Sequence, residues 1–475
     1  MLHDNRAVRA GSRIPGWIKV LGGLFAFGLI VVGVVFALGT IATSRWQRFA
    51  ADLRAAGQPL TFAEIEAVRP DVPSEQNGAA VVSRNLEAIS GATGERVLDD
   101  VFVFGADGRE SDFFTGIVRA GIEPSRELLD RNRRLLDELA ALVDRPVGRF
   151  EFAHQANPLA TLLPHLAPLR TAAKLQAVDG MVRLIDNDTD GAIDTVVIRF
   201  SLAGTLQNEP TIISRLVQIA IQAQAVQGIE QILRVAELNV VQLSRLDEQV
   251  NRALAGQSMT WALWGERAFG IETLEAVATG TISLNSIQTM AGSPGAIPTF
   301  WLPTWLVRDN QLKAAQMYGC LVDAADDPDA LRAAAQKMEA VAPALPLKYA
   351  LIRILMPSLS RAVQLHVRIT AHLRAARAAL AAERFRLDAG RLPESLDELV
   401  PRYLEAVPID PFDGGPLRLV TTADGIVVYS IGEDGVDDGG IVQRPEKPTG
   451  IPDVGVRLNK PEHRGVRFRA DQSPE

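Results

Sequence analysis

The sequence is poor in cysteine, since Cys320 is the only one among 475 residues. A single cysteine excludes an internal disulfide, and it also excludes a cluster of thiolates that would hold zinc or iron. Because a free cysteine packs like a small hydrophobic residue, the sequence predicts that Cys320 is a buried structural thiol.

A strong charge of one sign is also missing. The chain has 49 Lys and Arg residues against 57 Asp and Glu residues, which gives a net charge of −8. No extended basic run follows the N-terminal segment, so the chain lacks the positive patch that attracts a phosphate backbone. We therefore do not expect nucleic acid to be a partner.

Known catalytic signatures are absent as well. The sequence contains no Gly-x-Ser-x-Gly elbow, no Walker phosphate loop and no dinucleotide-binding fingerprint. The histidines do not form the His-Glu-x-x-His zinc motif. We predict no catalytic residue, and we expect a place in the core or on a helix surface for each of five histidines: His154, His165, His366, His372 and His463.

What the chain does have is one long apolar run. Val20 to Ser44, VLGGLFAFGLIVVGVVFALGTIATS, contains 25 residues without a charge. As a helix with a rise of about 1.5 Å per residue it exceeds a hydrocarbon core of about 30 Å. The sequence therefore predicts a transmembrane helix over residues 20–44. Tryptophan and basic residues flank both ends, as they do at membrane interfaces: Trp17, Lys19, Arg45, Trp46 and Arg48.

Two alternatives to an uncleaved anchor are less favoured. Five glycines would weaken a buried core helix, whereas membrane spans tolerate them. A cleavable signal peptide normally has an apolar region of about 7 to 15 residues, and this run is longer. Basic residues are slightly more frequent before the span than after it. This difference favours residues 1–19 in the cytoplasm of a bacterium and the bulk of the chain in the periplasm, held at the inner membrane by a single pass.

Behind the span, helical periodicity predicts a mainly α protein. Leucines recur at helical spacing between residues 125 and 142, and the same period continues over 169–185, 201–206 and 212–241. Thr61 and Glu64 are placed as a capping box. No repeat of fixed period is found, so the sequence predicts an irregular extracytoplasmic α-helical domain over residues 45–340.

The last part of the chain has a different character. A long helix is predicted from Ser358 to Leu387, and a β-hairpin is predicted in LRLVTTADGIVVYSI around an Asp424-Gly425 turn. Together they predict a small α+β domain over residues 341–443 with an antiparallel hairpin. The Pro-rich, charged residues 444–475 are expected to form an extended or disordered tail.

This C-terminal part resembles the globular domain of the type II secretion major pseudopilin, general secretion protein G. The resemblance covers about 85 of the 475 residues. It rests on a Gly-x-x-Pro-x-Ser-Leu pattern from Gly390 to Leu396, an Asp410-Pro411 turn, the strand VVYS and a final Asp-Gly cluster, in that order. It implies a helix, a loop, a small antiparallel sheet and an acidic loop that binds calcium.

The chain also departs from that family. Pseudopilins carry the domain directly behind a processed apolar helix with a glutamate near its start. Here the span has no glutamate, and more than 300 residues separate it from the similar part. Assembly into a pilus is therefore not expected. The whole chain resembles large membrane-anchored bacterial envelope proteins that carry this module.

The acidic loop is the candidate metal site. The stretch YSIGEDGVDDGG contains Asp434, Asp437 and Asp438, and calcium prefers six to eight oxygens from carboxylates, carbonyls and water. By the resemblance, Asp434 occupies the Asp-Gly position of the family. The alternative is that these residues form tight, solvated turns. Apart from calcium, no cofactor is predicted.

A second acidic stretch, DNDTDGAIDTVV, matches the start of an EF-hand. Asp186, Asp188 and Asp190 occupy positions 1, 3 and 5, but position 12 is Val197 in place of the bidentate glutamate. Asp and Gly are also the residues of a turn between two helices. We favour this turn, with Asp190 as the N-cap of the second helix.

The sequence thus predicts a binding or scaffolding protein of the bacterial envelope rather than an enzyme, with a protein partner or self-association in addition to the membrane. Two alternatives stay open. One is an envelope hydrolase that uses carboxylates of the helical domain, and the other is an accessory component of a secretion apparatus, which rests on family analogy.

Overall fold

The computed structural model describes most of the chain. Outside the described residues lie His154, residues 1–15 and most of the predicted tail. The described residues are 16–92, 98, 121–152, 163–283, 303–349, 352–353, 357–442 and 452–465.

The described residues form a mainly α-helical protein with one small sheet, as predicted. The α-helices are α1 Gly16–Ala55, α2 Phe62–Val68, α3 Gly78–Arg84, α4 Leu86–Gly91, α5 Ile122–Arg131, α6 Arg133–Leu139, α7 Leu166–Ile185, α8 Thr189–Gly204, α9 Ile212–Val235, α10 Val240–Ala255, α11 Thr260–Ala278, α12 Thr304–Val322, α13 Pro328–Val341 and α14 Pro357–Ala389. The strands are β1 Arg418–Thr421, β2 Gly425–Ser430 and β3 Val454–Asn459.

Side-chain caps decide where several helices begin. Thr61 caps α2 by accepting from the backbone N of Glu64 at 3.2 Å. The Glu64 carboxylate accepts from the backbone N of Leu60 at 2.8 Å, so only half of the predicted capping box forms. A complete capping box occurs at Asn239 and Gln242. It begins α10 and divides the predicted helical run 212–241 into two helices.

The long helix α14 lies at the centre of the protein. It packs against α9 and α10 on one side and against β2 and β3 on another. Its middle is lined by fully buried alanines, whose small side chains let the neighbouring elements approach closely: Ala375, Ala376, Ala378, Ala379 and Ala382.

The sheet has the order β1-β2-β3, and both pairs are antiparallel. The predicted hairpin is present, with Thr421 opposite Ile426 next to the turn. β3 extends the sheet beyond the predicted boundary at residue 443. Its residues Val456 and Leu458 are fully buried, so this segment of the predicted tail is an ordered strand.

The described residues of the C-terminal part share their core with the helical body. One buried cluster joins side chains of α8, α9 and α10 to side chains of α14 and the sheet. The boundary expected near residue 341 therefore does not separate two cores. The sheet is one wall of the helical body.

Cys320 is exposed, so the prediction of a buried thiol is wrong. Its position on α12 lies next to the buried Leu321 but on the solvent-facing side of the helix. The Sγ atom contacts the carbonyl of Gln316 one turn earlier, at 3.6 Å.

Candidate functional site

The first part of α1 is long and apolar enough to cross a membrane. Its large side chains are bare: Phe36 is 76% exposed and Phe25 is 71% exposed. A contiguous bare apolar surface of this kind is unfavourable in water and favourable in lipid, where a helix satisfies all its own backbone hydrogen bonds. The helix fits a single-pass membrane protein.

The last turns of the same helix pack into the body. Trp46 and Ala50 are buried against Ile271 of α11 and against Leu312 and Ala315 of α12. We call this contact of five residues the anchor joint. Because Ala50 and Ala315 are small, the two helices can approach closely there. α1 is one continuous helix, so the apolar span and the anchor joint belong to one rigid element.

A buried arginine lies next to the anchor joint. Arg267 of α11 is fully buried, and it donates to the side-chain oxygen of Gln58 at 2.7 Å and to the carbonyl of Pro59 at 2.9 Å. Burial lowers the pKa of Arg267 to about 10. Through these two neutral oxygens, the guanidinium fixes the segment that follows α1. Neither of the two partners is a carboxylate.

These contacts fix the direction of α11 and α12. Arg267 meets Gln58 beyond the end of α1, whereas Ile271, one turn later, belongs to the same buried cluster as Trp46 and Ala50 of α1. α11 therefore runs back towards the span. α12 returns antiparallel to α11, because Gln311 donates to the carbonyl of Ile271 at 3.1 Å and Met259 donates its backbone N to Ala325 beyond the end of α12.

The acidic loop lies at the far end of β2, where Asp437 is held from two sides. Its Oδ1 accepts from the hydroxyl of Tyr429 at 3.1 Å and from the backbone N of Gly439 at 2.9 Å. Its Oδ2 lies 3.1 Å from Nε of Arg418. Burial and the hydrogen bond to Asp437 raise the pKa of Tyr429 to about 12. Asp437 thus already has a cation as its partner.

The other two predicted calcium ligands, Asp434 and Asp438, have different hydrogen-bond partners. Asp434 accepts from the backbone N of Val436 at 3.1 Å, which is a tight turn of its own segment. Asp438 donates its backbone N to Asp453 at 3.4 Å, and Gly440 donates to the same carboxylate at 2.8 Å. Asp453 is buried, which raises its pKa. Sequence reasoning missed Asp453 because it was placed in the tail.

Asp410 is the most connected carboxylate of this region. It is fully buried and accepts from the hydroxyl of Ser430 at 2.7 Å, from the backbone N of Ile431 at 3.0 Å and from that of Phe412 at 3.0 Å. Arg418 donates to its second oxygen at 3.2 Å. Asp410 therefore ties the Asp-Pro turn to the end of β2 and has a structural role.

The contacts of the acidic loop can be compared with what a calcium site needs. Among the described residues, no group of three or more His, Cys, Asp and Glu side chains gathers closely enough to hold a metal ion. Asp434 and Asp437 accept hydrogen bonds from backbone N–H groups of their own turns, and Asp437 also pairs with Arg418. Calcium binding at Asp434, Asp437 and Asp438 stays a prediction.

The EF-hand-like stretch is the predicted turn between two helices, α7 and α8. Asp188, rather than Asp190, is the N-cap of α8, and it accepts from the backbone N of Gly191 at 2.9 Å. Asp186 pairs with Arg126 at 2.6 Å. The predicted cap was two residues too late, because α8 begins at Thr189.

His366 lies in the core, beside a buried arginine. Its Nδ1 is 2.9 Å from Arg215, which also donates to Gln218 at 2.6 Å and to Gln257 at 2.5 Å. Burial and the nearby Arg215 lower the pKa of His366 well below its ordinary value. His366 is therefore neutral, and its Nδ1 accepts the bond from Arg215.

A carboxylate separates a histidine from a serine near the start of α9. His165 Nε2 lies 2.8 Å from Glu209, and the hydroxyl of Ser214 donates to the other oxygen of Glu209. Thr211 contacts the same hydroxyl at 2.7 Å. A nucleophilic serine needs a base that contacts it directly, with the carboxylate behind the base. Here the carboxylate of Glu209 lies between His165 and Ser214 instead. The group lies at the N-terminal cap of α9.

A second carboxylate meets the same helix end. Glu266 of α11 accepts from the backbone N of Ile212 at 3.4 Å. Burial raises the pKa of Glu266 to about 7. A carboxyl group that can hold a proton near neutral pH is what general acid catalysis uses. Glu266 is therefore the described carboxylate that best suits the hydrolase alternative.

The C-terminal strand is fastened by a buried ion cluster. Glu383 of α14 is fully buried and pairs with Arg464 at 2.6 Å and with Arg386 at 2.8 Å. Both arginines contact both carboxylate oxygens. We call these three residues the C-terminal clasp. A further ion pair joins Arg457 of β3 to Glu230 of α9.

A polar crevice of about 380 Å³ opens between α10 and the segment before α7. Its arginines are already paired, Arg245 with Asp194 at 2.7 Å and Arg252 with Glu248 at 2.8 Å. The charges of these pairs offset one another, and Asp144 adds a carboxylate to the lining.

Comparisons with known proteins add no identity. No protein-family model matches the chain, and no match was found among curated proteins or among solved structures. The resemblance to the type II secretion pseudopilin therefore remains a prediction from the sequence.

Proposed function

We propose that this protein is a membrane-anchored binding or scaffolding protein of the bacterial envelope. An uncleaved span holds it in the inner membrane by a single pass, and the helical body lies in the periplasm. The body binds a protein partner or a second copy of the chain. The anchor joint is the observation that carries this proposal.

The anchor joint supports an uncleaved span. Trp46 and Ala50 belong to the same helix as the apolar run, and they fill a buried contact with α11 and α12. Removal of a signal peptide would cut this helix next to residues that the body uses for packing. A permanent anchor keeps the helix whole.

The anchor joint also supports a scaffolding role. A flexible linker behind a span lets a body rotate and move away from the membrane. Here no linker separates the span from the body, because the helix runs directly into the contact. The body is therefore held at a fixed height, which is useful for a protein that presents a surface to a partner.

Topology and anchoring are tested in cells of a Gram-negative host. Alkaline phosphatase fused after Glu475 should be active, and the same fusion to a fluorescent protein that folds only in the cytosol should be dark. The full chain should remain in the membrane pellet after alkaline carbonate extraction. A dark phosphatase fusion, or release by carbonate, would refute the proposal.

Binding is tested by photo-crosslinking in the same membranes. A photoreactive residue at three exposed apolar positions, Val241 on α10, Val436 on the acidic loop and Ile441 directly after that loop, should give at least one discrete product. Trp17, at the other end of α1, is the control position. Absence of a discrete product at all three positions would contradict a binding role.

Glu266 gives the hydrolase alternative a test of its own. Purified full chain in detergent would be screened against peptide, ester and glycan substrates. Activity that Glu266→Gln abolishes, while Glu248→Gln at the surface leaves it intact, would favour the hydrolase over the scaffold. Gln can keep the bond to Ile212, so loss of folding is a poor explanation for such a result.

A further inference from the structure

The direction of α12 brings its first turn close to the membrane. Leu312 belongs to the same buried cluster as Trp46, which lies two residues beyond the end of the apolar run at Ser44. α12 begins eight residues before Leu312, at Thr304, on the side that faces the span. At a rise of about 1.5 Å per residue, this places its start about 12 Å nearer to the membrane than Leu312.

The first turn of α12 therefore reaches the depth of the last residues of the span. That turn contains Trp305 and Leu306, which are both partly exposed. Tryptophan is enriched at the boundary between lipid and water, because its ring is apolar and its N–H is polar.

A second segment is fastened to the same end of α12. A short 3₁₀ turn, Leu347–Tyr349, is fixed there because Asn310 donates to the carbonyl of Lys348 at 2.8 Å. Asp309 accepts from the Lys348 ammonium at 2.6 Å and from the Tyr349 hydroxyl at 3.0 Å. The turn is thus held at the level of residues 309 and 310, on the membrane side of Leu312.

Leu347 of this turn is strongly exposed. It is 83% exposed, more than any other large hydrophobic side chain among the described residues, including those of the span. Its neighbours Lys348 and Tyr349 combine an apolar stem or ring with a polar tip, which suits a position between lipid and water. Exposed leucine beside such residues is typical of segments that rest in a membrane surface.

The lipid surface is the occupant that this geometry favours. The face lies beside a helix that is itself long and apolar enough to cross a membrane, so the proposed anchor would bring lipid next to this face. We propose that the first turn of α12 and Leu347 lie in the headgroup region next to the span, as a second, non-spanning contact of the body with the membrane. This inference rests on the proposed transmembrane anchor.

Depth measurements on single-cysteine variants test the contact. Cys320 is exposed and is first replaced by Ser. Leu347→Cys is then labelled with an environment-sensitive fluorophore in full chain reconstituted into phosphatidylglycerol and phosphatidylethanolamine vesicles. Ala330→Cys is the matched control, because it is exposed and follows the opposite end of α12. We expect lipids with a nitroxide at the headgroup to quench the label at 347 about twofold or more, and the label at 330 hardly at all.

A second label removes the objection that the fluorophore seeks lipid by itself. A small nitroxide on the same two cysteines should be more accessible to oxygen than to a water-soluble nickel complex at position 347, and the reverse should hold at 330. Equal quenching and equal accessibility at the two positions would overturn the inference.

The anchor is checked separately on the same vesicles. If alkaline carbonate leaves the chain in the vesicles but position 347 behaves like 330, the second contact is wrong and the anchor stands. If carbonate releases the chain, the proposed anchor itself is wrong, and the second contact falls with it.

Discussion

The two ends of the chain are attached to the same helical body by different physics. At the N-terminal end, the anchor joint is apolar, and the nearby Arg267 binds neutral oxygens. At the C-terminal end, the clasp is ionic, with Glu383 fully buried between Arg386 and Arg464.

This difference teaches where each attachment is vulnerable. Apolar packing is insensitive to salt and to pH, and it weakens in proportion to the volume removed. A buried ion pair contributes little net stability, but removal of one partner leaves an uncompensated buried charge. The anchor should therefore tolerate changes of medium, whereas the C-terminal strand depends on every charge of the clasp.

The largest expected effect breaks the clasp. Glu383→Gln leaves the guanidinium groups of Arg386 and Arg464 without the buried carboxylate that pairs with both, and we expect the free energy of unfolding to fall by about 3 to 5 kcal/mol. Urea denaturation of full chain in detergent, followed by circular dichroism, measures this change. Asp130→Asn is the control, because its pair with Arg133 is well exposed and its loss should leave the free energy of unfolding nearly unchanged. Equal effects of both variants would show that the clasp is not a buried ion cluster.

The next effect breaks the anchor joint. Trp46→Ala removes a large buried side chain, and we expect a loss of about 3 kcal/mol from the lost burial and the cavity left behind. Hydrogen exchange should become faster in the last turns of α1 and around Ile271. Trp17→Ala is the matched control on the same helix, because Trp17 is 65% exposed and should leave the body unchanged. Comparable exchange in the two variants would argue against a packed joint.

The next prediction concerns the pH dependence of stability that arises from Glu266, a buried carboxyl group near α9 that belongs to neither attachment. Burial raises the pKa of Glu266 from an ordinary 4.5 to about 7. The folded state thus holds this proton more tightly than the unfolded state. The stabilisation from the protonated group is complete below about pH 4.5 and is lost as the pH rises to about 7.

Glu266→Gln cannot ionise and should lack this loss. Relative to wild type, the variant should gain about 2.5 kcal/mol between pH 5 and pH 8, since one pKa unit corresponds to about 1.4 kcal/mol. Denaturation curves at both values of pH measure the gain. Glu248→Gln at the surface should follow wild type, and a parallel course of both variants would show that Glu266 is not responsible.

The smallest effect asks whether the C-terminal end carries a metal. The calcium hypothesis predicts that calcium at ten times its dissociation constant stabilises the protein by about 1.4 kcal/mol. Asp437→Asn should abolish this response. Arg418→Gln should enlarge it, because the cation that now pairs with Asp437 is removed. Isothermal titration that detects no calcium binding at millimolar concentrations in either wild type or Arg418→Gln would reject the site.

Local signals in the sequence predicted much of the fold. The apolar run over residues 20–44 marks α1, and periodic leucines mark the helices of the body. The Asp424-Gly425 turn between two β-rich runs marks the hairpin of β1 and β2. Each of these signals lies within a few tens of residues, where the physics of one helix or one turn decides the outcome.

Contacts between distant residues could not be predicted in this way. Glu383 and Arg464 are 81 positions apart, and nothing near either residue identifies the other as its partner. β3 is only six residues long and lies among prolines and charged residues, so the sequence did not predict a strand there. Of the acidic loop, the sequence indicated the turns, but it did not indicate that Arg418 and Asp453 already hold it.

The 40 residues of α1 form a rod about 60 Å long without a break at the membrane surface. Because the last turns of this helix are packed into the body, the helix cannot rotate relative to the body. Any twist of the span about its own axis must turn the whole body through the same angle. If two spans associate side by side, the residues at which the spans meet would therefore determine which faces of the two bodies lie opposite each other.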